Sequence, residues 1–184
     1  MMTPFLLTST IILLTPGPTN TVLAASGAAN GLWQSRLLPL AEAAGYALAI
    51  SFFVWTATLV SGVWWAMPAL KVAASGWLAL SAIRLWSAKS DARGAVGSDV
   101  FGRVFLTTIF NPKAMIVGTM LIPHSTTEET ALHVATFVLL STLAGIGWVA
   151  LGSMLPAAIR RHSYKGAAFV LGGFSIAAMT SALA

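Results

Sequence analysis

Thr15-Pro16-Gly17-Pro18-Thr19-Asn20 sits inside an apolar run over 5–29, and Asn111-Pro112-Lys113 sits inside another over 101–123. Proline has no N–H to donate and its ring clashes with the preceding turn, so neither run can be one uninterrupted helix. Backbone freed at membrane depth is tolerated only where it is buried in protein or lines a cavity. Two interrupted apolar runs in corresponding positions of two halves are the pattern that points to a transporter's binding site.

Composition puts these runs in a membrane. Hydrophobic residues make up 57% of the 184 residues and charged residues only 8%, with a mean hydropathy of +0.84, against about 25% charged in an average soluble domain. Further apolar stretches at 38–63, 68–88, 131–156 and 166–184 bring the expected count to six spans, each near the ~20 residues that cross a hydrocarbon core. The expectation is an all-α integral membrane protein of one domain, with no room for a separate soluble module. Met1-Met2-Thr3-Pro4 carries no positive charge and the apolar run continues past the prolines, so the first span is read as retained rather than as a cleaved signal. Cysteine is absent, which excludes disulfides, thiolate metal sites and thiol catalysis. The formal charge is +5, but the basic residues are scattered between apolar runs instead of gathered on one face, which argues against nucleic acid as a partner.

The basic residues also orient the chain. Arg36 follows span 1; Arg84, Lys89, Arg93 and Arg103 surround the link after span 3; Arg160, Arg161 and Lys165 follow span 5. Only Lys71 falls on the other side, and Lys113 lies within span 4. The positive-inside rule then places the odd links in the cytoplasm and both termini outside. Trp33 and Trp86 fall near inner span ends and Trp64 and Trp65 near an outer one, as an interfacial aromatic belt would have them. The polar stretch from Ser87 to Asp99 divides the chain into repeats of about 4–88 and about 101–184. Three spans per repeat invert the second relative to the first.

Leu13-Leu14-Thr15-Pro16-Gly17-Pro18 followed by Asn20, then Phe105-Leu106-Thr107-Thr108-Ile109-Phe110-Asn111-Pro112-Lys113-Ala114 and Leu121-Ile122-Pro123, resemble the LysE/RhtB family of amino-acid exporters. Leu70-Lys71, Gly76-Trp77-Leu78 and Ala82-Ile83-Arg84, and Lys165-Gly166-Ala167 at the start of the last span, extend the likeness over nearly the whole chain. The resemblance implies one LysE-type transmembrane domain over 1–184, with six helices arranged as two inverted three-helix repeats and with helices 1 and 4 broken. It implies export of an amino acid or amino-acid-like solute across a bacterial inner membrane, coupled to the proton gradient and needing no cofactor. Two features depart from the family pattern. Thr19 precedes Asn20 where the family has Pro-Gly-Pro-Asn, and Glu42-Ala43-Ala44-Gly45-Tyr46 stands where many members carry a Gly-Asp pair deeper in the helix. These changes leave the fold intact and the substrate open.

A broken helix exposes N–H groups at one new end, with partial positive charge, and carbonyls at the other. An amino-acid zwitterion suits both, its carboxylate at the first and its ammonium at the second. Pro16, Gly17, Pro18 and Pro112 make the breaks, and Thr15, Thr19, Asn20, Thr108 and Asn111 supply side-chain donors and acceptors. The competing reading is that the prolines only kink the helices while Asn and Thr cap the ends. Lys113 carries an ammonium that costs from about 2.5 kcal/mol upward at the centre of a span unless paired or hydrated. Glu42 is its expected partner and the candidate proton carrier, because proton occupancy of a carboxyl responds to hydration and to a nearby cation. Against this, Glu42 can serve as an interfacial partner of Arg36, and Lys113 can snorkel.

His124, Glu128, Glu129 and His133 have spacings suited to a metal or pH-sensing site, but Ser125-x-x-Glu128 and Thr126-x-x-Glu129 are both capping boxes that account for the acids. Gly27-x-x-x-Gly31 and Gly145, Gly147, Gly152, Gly172 and Gly173 read as close helix packing. Trp55, Trp77 and Trp148 read as packing residues. An ion or metal exporter would place several ligands within the membrane, where only Glu42 qualifies. No nucleophile with a base, and no metal triad, suggests an enzyme. A non-transporting assembly partner is the remaining alternative, and a homo-oligomer is left open.

Overall fold

A computed structural model describes residues 2–60, 63–87, 98–122, 126–156, 158 and 162–183. Every regular element among them is helical. In chain order these are α1 (Met2–Leu14), α2 (Pro18–Ser35), α3 (Leu38–Val60), α4 (Ala66–Trp86), α5 (Ser98–Ile109) and α6 (Pro112–Ile116). A π-helical segment (Val117–Leu121), α7 (Thr127–Ser153) and α8 (Ser163–Leu183) complete the order. Lys89, Asp91, Arg93, Pro123, His124, Ser125, Arg160 and Arg161 lie outside the described residues.

Both expected breaks are present, and both have the same local cause. Gly17 (φ −166°, ψ 176°) and Asn111 (φ −80°, ψ 124°) are extended, and each is followed by a proline in the first turn of the next helix. A proline pushes the residue before it out of the helical region and is itself pre-set for a first helical turn, so one helix ends and another begins. The α5–α6 pair bends by 44°. A third bend was read differently from sequence. Gly31 has φ +82°, and no described residue lies within 4 Å of where its Cβ would be, so within the described residues it serves as a left-handed bend in α2 and not as a packing contact. Span 5 begins at Thr127 rather than at 131, because Thr126 Oγ1 accepts the Glu129 N–H (3.2 Å) and so caps the helix early.

Among the described residues, three helical stretches are long and apolar enough to cross a membrane: Leu38–Thr56, Thr127–Ser153 and Tyr164–Ala182. The bent pair Val100–Ile109 with Lys113–Thr119 makes a fourth candidate, while α1 is apolar but short. Leu139, Leu143 and Ile146 of α7 and Phe169 and Ile176 of α8 are exposed. Such outward apolar faces suit lipid and are compatible with a multi-pass membrane protein. Trp55, expected to pack inside, also points outward at 75% exposure.

Helix directions follow from residue pairs. Ser75 meets Ser175, Lys71 Nζ donates to the Ser181 carbonyl, and Lys165 lies over Trp86, so α4 and α8 are antiparallel along their length. Tyr46 stacks edge-on against Phe137 while Glu42 lies beside Gly145, so α3 and α7 are antiparallel as well. Gly45 faces Thr108 and Phe53 faces Gly118, so α3 runs parallel to the α5–α6 pair. Phe5 meets His133, the Leu13 carbonyl meets Trp148, and Ala24 meets Gly152, so the α1–α2 pair runs along α7. The contacts of Gly27 on Val149 and of Gly152 on Ala24 are backbone approaches that a Cβ would block, as expected of packing glycines. Gly147, Gly172 and Gly173 have no described residue within 4 Å of where a Cβ would be and do not serve that role among the described residues.

Two apolar clusters fill the interior. One gathers Val22, Leu23, Val104, Val149 and Leu171; the other gathers Phe5, Leu13, Ile50, Val117 and Phe137. α1 and the segment after Asn111 feed the second cluster, while α2 and α5 feed the first. Each break therefore falls where its chain passes from one apolar layer to the other.

Candidate functional site

The carbonyl end of α1 is the best-satisfied part of the site. Lys113 Nζ donates to the Ile12 carbonyl (2.7 Å) and to the Thr15 carbonyl. Asn20 Nδ2 donates to Leu13 (2.8 Å) and Thr15 (2.9 Å), and Trp148 Nε1 donates to Leu13 (3.2 Å). An α-helix leaves its last carbonyls without partners and with partial negative charge. Here a cation, an amide and an indole from three different elements meet them. Asn20, a predicted substrate contact, holds the two sides of the first break together. Thr15 turns its hydroxyl onto the Ile11 carbonyl (2.7 Å). Trp148, read from sequence as packing, supplies one of the donors.

The N-terminal ends of the two downstream helices differ. Asn111 Oδ1 accepts the Lys113 N–H (3.0 Å), so α6 is capped by its own sequence. Gly17, at the N-cap of α2, has no side chain to do the same. The leading N–H groups of α2 lie beside Gly17, and the Lys113 side chain runs against that glycine: a Cβ there would sit 2.9 Å from Lys113 Cε and 3.1 Å from Nζ. The ammonium has three protons, of which the two carbonyls use two. Positive charge thus collects at the open end of α2.

A buried polar network ties the two breaks together. Asn111 Nδ2 donates to Thr19 Oγ1 (3.0 Å) and to the Tyr46 hydroxyl (3.4 Å), and Thr108 Oγ1 lies 3.3 Å from Thr19 Oγ1. Thr19, Tyr46, Thr108 and Asn111 are all buried. Thr107 joins at the edge, accepting from Trp77 Nε1 (3.3 Å). Tyr46 is a site residue that the sequence reading passed over. Its signal was its place one turn after Glu42, on the same face of α3. On the far side of Asn111 opens an apolar cleft of about 770 Å³, between α3, α4, α6 and α8, with Phe52, Phe110 and Phe174 in its walls.

Glu42 is 1% exposed, and neither carboxyl oxygen has a hydrogen-bond partner among the described residues. Gly145 makes room for it, since a Cβ there would overlap Oε2. The expected ion pair with Lys113 is not formed. Lys113 is drawn instead to the backbone charge of α1. In the first turns of α7, Glu128 and Glu129 are exposed, while His133 is buried against Phe5 with Nδ1 at 2.7 Å from the Glu129 carbonyl. No three metal-ligating side chains converge among the described residues. The prolines complete the predicted set: Pro16 is exposed, Pro18 is buried, and Pro112 occupies the first turn of α6. Comparison with protein-family models, with curated proteins and with solved structures gives no match.

Proposed function

We propose that this chain is a six-span bacterial inner-membrane exporter of an amino acid or close analogue, of the LysE/RhtB type and driven by the proton gradient. The observation that carries the reading is the meeting of two helix breaks around Lys113: a satisfied carbonyl end of α1, an uncapped N-terminal end of α2 and an ammonium between them. A substrate carboxylate fits the α2 end, where N–H groups and Lys113 both favour an anion. Helix directions support the inverted repeat. Exchanging spans 1, 2 and 3 with 4, 5 and 6 turns each observed relation into another observed one: 1 along 5 becomes 4 along 2, while 3 against 6 and 2 against 5 map onto themselves. The reciprocal bonds of Ser75 and Ser175, each hydroxyl 2.9 Å from the other's carbonyl, lie where a two-fold axis between repeats would pass.

Efflux measurement in a strain lacking its own exporters, over basic, neutral, sulfur-containing and hydroxylated amino acids, tests the reading. Accelerated loss of at least one amino acid is expected, and it should collapse when the pH gradient is dissipated. A chain that accumulates in the membrane and moves none of them would overturn it.

A further inference from the structure

We propose that Glu42 holds, in alternation, a proton and the ammonium group of the substrate. The inference rests on the exporter reading and names where its two cargoes compete. Of the five acidic residues, Asp91, Asp99, Glu128 and Glu129 lie in or beside the connections, and Glu42 alone lies within a span. A proton and an ammonium crossing this body therefore meet one carboxylate between them. A buried carboxylate without hydrogen bond or counter-ion is strongly disfavoured. Lys113, the cation that should neutralise it, is committed to the Ile12 and Thr15 carbonyls. Glu42 thus lacks a partner among the described residues, and either cargo supplies one from outside.

The titratable groups on the elements packed around it are few. α2, on one side, has none; α5 carries Asp99 and Arg103 in its first half; α7 brings His133, which by helix rise lies about 18 Å from Gly145; α6 brings Lys113; and α3 itself brings Tyr46. Tyr46 opens onto the Asn111–Thr19–Thr108 network, so the carboxyl lies next to the polar junction of the breaks. When the substrate arrives, the Glu42 O–H bond breaks and its proton passes to water. The carboxylate then accepts N–H bonds from the ammonium while the substrate carboxylate takes the α2 end beside Lys113. On the opposite side the ammonium leaves and hydronium returns a proton to the same oxygen. No covalent bond of the substrate changes, and one proton enters for each ammonium that leaves.

Dicyclohexylcarbodiimide, which modifies carboxyls that carry their proton in apolar surroundings, tests this on the purified full chain in detergent. The site of modification is read by peptide mass. Labelling should fall on Glu42, disappear in Glu42→Gln and persist in Glu42→Asp. A mixture of the common L-amino acids, or of their methyl esters, should slow labelling several-fold, whereas the N-acetyl amino acids, which lack the ammonium, should leave it unchanged. Absence of label at Glu42, no protection by the amino acids, or equal protection by the N-acetyl compounds overturns the inference. Efflux separates it from the exporter reading. Export that stays coupled to the pH gradient in Glu42→Gln removes the shared carboxyl and leaves the exporter standing; labelling with ammonium-specific protection, in a wild-type chain that moves nothing, does the reverse.

Discussion

Lys113 shows how far a single charge can be read from a chain. Its position in an apolar run marked it as functional, and Glu42 was the only acid within reach of the argument. The true partners are the Ile12 and Thr15 carbonyls, and backbone carbonyls leave no mark in a sequence until the end of their helix is placed. Lys113→Met should strip both of their cation; the Thr15 carbonyl keeps Asn20 Nδ2, so the cost is about 1–3 kcal/mol for the Ile12 carbonyl left unmet. Unfolding in detergent should show this as a lower melting temperature, with Lys113→Arg close to wild type. An unchanged melting temperature in Lys113→Met would mean that the clamp adds nothing to stability. Gly145→Ala makes the complementary case, because its methyl would overlap Glu42 Oε2. The carboxyl must then move, and carbodiimide labelling should change while Gly147→Ala, with open space around it, leaves labelling alone.

At the level of the helix, the breaks were legible because proline acts through local sterics, and the start of α7 was legible because Thr126 and Glu129 have capping-box spacing. The difference between the two downstream ends was not. Asn111 caps α6 while Gly17 leaves α2 open, although both precede a proline, and the distinction rests on a side chain that glycine lacks. Pro18→Ala and Pro112→Ala should each let Gly17 or Asn111 return toward helical geometry. Transport is expected to fall while membrane abundance holds, as measured by efflux beside immunoblotting. Normal transport by either variant would reduce the breaks to kinks. Thr126→Ala should instead cost about 1 kcal/mol of stability without touching transport, since the cap lies at the far end of α7 from Gly145.

Across the whole molecule, the positive-inside count and the helix directions are independent arguments for one topology. The first uses charges in connections; the second uses contacts between spans. They agree in that α4 and α8 are antiparallel, as the proposed spans 3 and 6 of an inverted repeat would be. Interfacial anchors fit as well: Arg36 lies over Trp33 at 3.8 Å and Lys165 near Trp86 at 5.8 Å, both at ends assigned to the cytoplasm. The bent α5–α6 pair is where the topology is most exposed to failure, because a 44° bend also suits a segment that enters and leaves by the same face. Reporter fusions near Asp91 and after Ala184 discriminate between these outcomes, since three crossings separate the two positions if the bent pair spans and two if it does not. The expected result is a cytoplasmic reporter near Asp91 and an external one after Ala184. Reporters on the same side would make the pair re-entrant, remove one span from the second repeat and break the inversion on which the paired binding ends depend.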